Sequence, residues 1–115
     1  TRGMAIDEAS SNDTLTINEL GKVLHYFKDL SGQKIDIFHT FACLMGNIEL
    51  AYEIKNYAKY FITSEELFPA DLWSFKALEM INNAFTVSSE EIGINFTQSA
   101  YDYFSNKETT PFMNT

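Results

Sequence analysis

Cys43 is the only cysteine of the chain, and it stands where an apolar, β-branched run (Ile35, Ile37, Phe38, Phe41) gives way to a helical pattern (Ile48, Ala51, Tyr52, Ile54). A thiol at the carboxyl end of a buried strand, beside a helix amino-terminus, suits a nucleophile. Helix-end amides favour the thiolate, which is the reactive form. The same position also fits a small buried hydrophobe, the common role of a lone cysteine. A single cysteine excludes an internal disulfide.

The two histidines are poor bases for that thiol. His39 precedes Cys43 by four residues; along a strand, that even spacing keeps both on one face but about 13 Å apart. Direct proton transfer does not cross such a gap. His39 therefore reads as a structural or partly exposed imidazole, and His25, within a helical pattern, reads the same way. Metal chemistry has little support: Cys43, His39 and His25 show no paired ligand spacing, and the acids from Asp7 to Asp13 lack an EF-hand order.

Positioning such a thiol takes strands and helices, and the sequence pattern predicts them. Thr16 and Glu19 form a capping box that starts a helix at about Ile17. Its apolar positions Leu20, Val23, Leu24, Phe27 and Leu30 recur at helical spacing, and Gly32 is placed to end it. Residues 34–41 read as a strand with few charges, the pattern of a central strand covered on both faces. A helix follows over about 47–56, with Ile48, Ala51, Tyr52 and Ile54 as its inward stripe, and then a second strand over 57–64. Strand, helix and strand make a right-handed βαβ unit with parallel strands.

Residues 65–71 form a loop at the carboxyl end of that second strand, and a helix is expected over 72–85. Ser88 and Glu91 make another capping box, opening a last helix that reaches about Ser105 and is slightly weakened by Gly93. Residues 1–14 read as a polar, turn-rich loop and residues 106–115, with Pro111, as a mobile tail. Functional groups in open α/β sheets gather beyond the carboxyl ends of the strands. That places Cys43 and residues 64–71 at one edge.

At 115 residues the chain is one domain at most, with a modest core. Its 45% hydrophobic and 15% aromatic content is too high for disorder and too interrupted for a membrane span. Ten Phe and six Tyr suit either an aromatic-rich core or a segment docked on a partner chain. A net charge of −8 argues against nucleic acid or an anionic membrane as partner, because no basic patch exists to release counterions. It is consistent with a solvated acidic surface, and secondarily with attraction of basic peptides.

The residues also fall in a longer order. Asp7, Ser10, Asp13, Leu15, Thr16, Glu19 and Leu20 are followed by Ala42, Cys43, Leu44, Met45 and Gly46. Glu49, Ala51, Tyr52, Glu53 and Ile54 come next, then Ser64, Glu65, Glu66, Pro69 and Trp73. From Arg2 to about Tyr103 this order resembles the cysteine-bearing, carboxyl-terminal part of the catalytic domain in clostripain-family cysteine peptidases, caspase-like and gingipain-related enzymes. The resemblance implies an α/β fold, a caspase-like α/β/α sandwich with a mainly parallel sheet, of which this chain supplies about half. Residues 1–115 are then a single segment of that domain: the loop 1–14, an α/β core 15–105 and the tail 106–115.

The resemblance makes Cys43 the catalytic nucleophile of an endopeptidase that hydrolyses peptide bonds through a thioester. It takes the catalytic histidine from a Gly-His-Gly-type motif upstream. No such motif lies in these 115 residues, so the histidine is expected from a companion chain of the same precursor or an upstream segment. Thr1 then reads as a processed, cut or engineered start, with further domain residues expected after Thr115. Beyond this companion, the expected partner is a peptide or protein substrate, with no nucleic acid and no membrane. The family implies an extracellular, periplasmic or cell-surface setting in a bacterium. No cofactor is required by the residues; calcium is an expectation from the family, without an assigned site.

One residue departs from the family pattern. The family carries Asp two residues before the cysteine, associated with Arg or Lys at the substrate's P1 position, and this chain has Phe41 there. Cleavage after basic P1 residues therefore stays open. The candidate substrate-binding residues are Phe41, Ser64, Glu65, Asp71 and Trp73. Asp71, or secondarily Glu65 or Glu66, would restore an acid; Trp73 would wall the pocket; residues 62–66 would pair their backbone with an extended peptide. Set against these, Phe41 would point into the core, Asp71 would cap the helix at Leu72 and Trp73 would pack beneath it. The alternative function is a non-catalytic module of the same family that binds peptides or a partner protein.

Overall fold

The computed structural model describes residues 3–66, 79, 82 and 86–105. The chain divides into two compact units, Thr1–Pro69 and Ala70–Thr115. The helix expected over 72–85 and the tail 106–115 lie outside the described residues, apart from Glu79 and Asn82.

The first unit opens with a hairpin in place of the expected loop. Strand β1 (Gly3–Asp7) pairs antiparallel with β2 (Asp13–Thr16). A 3-10 turn at Glu8–Ser10 joins them, capped by the Asp7 carboxylate, which accepts from the Ala9 amide at 3.0 Å. Ser11 and Asn12 both take positive φ (60° and 59°), which reverses the chain in a small space. The strands were hidden from the sequence because both faces are largely wet: Ile6 is 64% exposed and Leu15 38%. No alternation marks a strand without a dry face.

Helix α1 (Ile17–Ser31) begins and ends as its residues dictate. Thr16 Oγ1 accepts from the Glu19 amide at 3.2 Å, while Glu19 Oε2 accepts from the Thr16 amide at 2.9 Å. Gly32, at φ 71°, closes the helix by donating its amide to Lys28 O at 2.8 Å. Of the five apolar positions expected to face inward, only Leu20 and Leu24 are buried. Val23, Phe27 and Leu30 stay exposed, because α1 packs on one neighbouring helix through a narrow face of Ile17, Leu20, Gly21 and Leu24.

Strand β3 (Ile35–His39), helix α2 (Ile48–Ile54) and strand β4 (Ala58–Ile62) form the expected parallel βαβ unit. The register sets Ile37 against Tyr60, Phe38 against Phe61 and His39 against Ile62. The strand is two residues shorter at its carboxyl end than the pattern predicts. It pairs with β4 alone among the described residues, and its side chains are half-buried or exposed rather than covered on both faces. Helix α2 is turned from the expected orientation. Ile54 (2% exposed) faces inward as expected, but with Leu50 (0%) beside it, whereas Ile48 and Tyr52 face water.

Those two side chains join Leu20, Leu24 and Met45 in the core of this unit, with Phe38 and Phe61 packed against it. Each buried aliphatic residue contributes about 1.5–3 kcal/mol.

In the second unit, helix α3 (Ser89–Ser105) starts on the predicted capping box. Ser88 Oγ accepts from the Glu91 amide and Glu91 Oε2 accepts from the Ser88 amide, both at 3.2 Å. The helix buries Ile92 and Phe96 one turn apart. The class is thus α/β, with one parallel pair and one antiparallel pair of strands among the described residues.

Candidate active site

Beyond β3 the backbone turns its side chains alternately in and out. Thr40 is 2% exposed, Phe41 54%, Ala42 half-buried, and Cys43 exposed; Leu44 stays outward at 44%, and Met45 dives back to 5%. Thr40, Ala42 and Met45 therefore anchor the loop from inside, while Phe41, Cys43 and Leu44 present themselves to solvent. The small hydrophobe reading of Cys43 does not hold, and neither does a core position for Phe41.

A second loop holds the first in place. The Thr40 amide donates to Ile62 O at 3.1 Å, extending the β3–β4 ladder by one step. Past it, the Leu44 amide donates to Glu66 O at 3.2 Å and the Gly46 amide to Ser64 O at 2.8 Å. The Thr40 and Thr63 hydroxyls share a hydrogen bond at 2.8 Å. Residues 40–46 and 62–66 are thus stitched together at the carboxyl end of the parallel pair, where the sequence reading expected them to meet.

Ser64 and Glu65 both lie beside the Cys43 loop. The Ser64 hydroxyl is committed to its own turn, donating to Glu66 O at 3.1 Å and accepting from the Glu66 amide at 3.2 Å. Glu65 lies directly against Gly46 and is exposed. Asp71 and Trp73 fall outside the described residues.

His39 belongs to the wall of the site rather than its chemistry. Its ring is half-buried and lies 4.3 Å from the Phe41 ring, at 39°. Burial pushes its pKa below the ordinary 6.5, so the imidazole is neutral at pH 7. His25, on α1, is exposed beside Asp29 and Tyr57.

Two residues that sequence reading missed complete the loop. Asn47 caps α2, with Oδ1 accepting from the Leu50 amide at 2.9 Å, and its Nδ2 donates to Leu44 O at 3.1 Å. That second bond sits on Leu44, whose φ of 57° is the strained point of the loop. An Asn directly before a helical pattern is a standard cap signal. The Leu50 amide of this helix end is thereby taken by Asn47. The other missed residue is Thr40, whose partner Thr63 lies 23 positions away.

No three His, Cys, Asp or Glu side chains among the described residues converge as a metal cluster. The hairpin acids that line a depression of about 310 Å³ with Ile6 and Leu15 bind their own backbone instead: Asp7 the Ala9 amide, Asp13 the Thr14 amide, Glu19 the Thr16 amide. None of the described candidate site residues lines that depression. No helix among the described residues is long and apolar enough to cross a membrane.

The described part of the chain is thus an α/β unit with an exposed cysteine on a braced loop beyond the carboxyl end of a parallel strand. Compared with known proteins, residues 1–113 match the model of the clostripain family, and the chain belongs to that family of cysteine peptidases. No curated protein and no solved structure matches it.

Proposed function

We propose that this chain is the cysteine-bearing part of a clostripain-like endopeptidase, with Cys43 as nucleophile and the histidine supplied by a companion chain or an upstream segment. The caspase-like α/β/α sandwich of the family is the frame in which the two parts meet. The observation that carries the reading is the exposure of Cys43 on a loop braced from inside by Thr40 and Met45 and from its flank by residues 62–66. A rigid loop holds a thiolate at a fixed distance from a bound carbonyl, and orientation of that kind is a large part of catalysis.

The Cys43 thiolate attacks the peptide carbonyl, and the companion's histidine protonates the leaving amine. Water then hydrolyses the thioester with the same histidine as base. Backbone amides hold the oxyanion, the Cys43 amide among them. Residues 62–66 offer backbone for an extended peptide beside the thiol.

The test is peptide turnover by the whole protein, including its histidine-bearing segment. A Cys43→Ala variant should lose on the order of 10⁶-fold in kcat, the scale seen when a nucleophile is removed from an acyl-transfer site. Full activity in that variant would remove Cys43 from the mechanism. Peptide binding without turnover in the unmutated protein would favour the non-catalytic binding module.

A further inference from the structure

Among the described residues, Leu44 is the one large side chain whose backbone takes positive φ, at 57°. The other two non-glycine cases, Ser11 and Asn12, are small, polar and part of the hairpin turn. In that conformation an L-residue brings its Cβ against a carbonyl oxygen, and Leu has no short polar group to offset the clash. Such strain persists only where the surroundings hold it, and it gathers at working sites. Here it falls on the residue that follows Cys43.

Leu44 is held on both sides. Its amide donates to Glu66 O at 3.2 Å, and its carbonyl accepts from Asn47 Nδ2 at 3.1 Å. Just downstream the chain is fixed again, by the Gly46 amide on Ser64 O and by the start of α2. With the helix side fixed, any rotation of Leu44 about φ carries the Cys43–Leu44 peptide, and Cys43, with it.

Helix capping alone does not call for asparagine at position 47. Asp caps a helix as well as Asn does, but its carboxylate brings no donor. The Asn47 side chain serves two ends at once: Oδ1 accepts from the Leu50 amide at 2.9 Å, while Nδ2 reaches back to Leu44 O.

We infer that Asn47 is a positioning residue for the Cys43 nucleophile: its side-chain amide keeps Leu44 in the left-handed conformation that sets where the thiol stands. The inference rests on Cys43 being the nucleophile. Such a bond acts on the chemical step more than on substrate affinity, because misplacing a reacting atom by about 1 Å costs about 10²-fold in rate.

The experiment uses the whole protein with its histidine-bearing segment and fluorogenic peptidyl coumarin amides bearing Arg, Phe or Leu at P1. Turnover gives kcat and KM, and urea melts are run on the same variants. Asn47→Asp, which keeps the cap acceptor, should lower kcat about 10- to 100-fold with KM within about twofold and a urea midpoint close to the parent's. In a Leu44→Gly background the same change should cost no more than about threefold, because glycine enters that conformation without strain.

Parental kcat in Asn47→Asp, with Cys43→Ala inactive, would overturn this inference alone. So would a loss of kcat that merely follows a fall in the urea midpoint, or an equal loss in the Leu44→Gly background. Full activity in Cys43→Ala, or no turnover of any of these amides by the unmutated protein, would remove the peptidase reading itself and this inference with it.

Discussion

Gly46 and Glu65 lie so close that a Cβ on Gly46 would come 2.7 Å from Glu65 Cγ and 3.0 Å from the Glu65 backbone nitrogen. The contact explains how two loops of separate strands can share a hydrogen bond at 2.8 Å between Gly46 N and Ser64 O. Gly46→Ala should cost about 1–3 kcal/mol, because the obstacle includes backbone that cannot swing aside. It should also change the rate at which a small alkylating agent reaches Cys43. Gly21 offers the control. The three atoms nearest a Cβ there all belong to the side chain of Glu53, whose carboxylate can move, and an interior Gly→Ala change favours the helix by up to about 1 kcal/mol. Urea melts should therefore place Gly21→Ala within about 1 kcal/mol of the parent, and Gly46→Ala well below it.

Asn47 is expected to couple the helix to the Cys43 loop. Asn47→Ala removes both the cap on Leu50 and the bond to Leu44 O, at a cost of about 1–2 kcal/mol. Asn47→Asp keeps the cap acceptor and loses only the donor to Leu44. It should retain most of the stability yet still alter Cys43 alkylation. Equal alkylation rates in all three proteins would show that the Leu44 contact does not hold the loop.

The buried hydroxyl pair at the strand ends should behave as a unit. Thr40→Val leaves Thr63 Oγ1 without its bond to Thr40 and should cost about 1–2 kcal/mol. With Thr63→Val added, the double variant should be less destabilised than the sum of the single ones by about 0.5 kcal/mol or more. Strict additivity in denaturant melts would mean the hydroxyls do not stabilise each other.

His39 gives the fold a pH dependence whose sign follows from burial. Its folded pKa lies below the ordinary 6.5, so as pH falls the unfolded chain takes up the proton first. Its contribution is complete above pH 6.5 and is lost as the pH falls through 6.5 toward the lowered folded value. Denaturant melts between pH 7.5 and pH 5.5 should show stability declining, and His39→Gln should flatten that decline.

The parts of the site that were legible in advance are those written in contiguous residues. Ala42 to Gly46 marks the loop beyond the first strand of the parallel pair, and the strands on either side of α2 fall within two residues of their predicted bounds. The hairpin of β1 and β2 was not legible, since neither strand has a dry face. The inward stripe of α2 was read correctly at Ile54 and misread at Ile48 and Tyr52, because Leu50, four residues before Ile54, takes the inward place. Sequence alone could not choose between an inward and an outward Phe41, which is 54% exposed.

By itself the sequence determined where helices start and stop, and to which family the chain belongs. The capping boxes of Thr16 with Glu19 and of Ser88 with Glu91 close within three residues, as does the approach of Gly32 to Lys28 within four, so each bond is specified by neighbours in the chain. Tertiary structure alone decided that the loop of Cys43 is braced by Ser64 and Glu66, and that Thr40 meets Thr63. These partners are some twenty residues apart, and only the parallel register of β3 with β4 brings them within hydrogen-bonding distance.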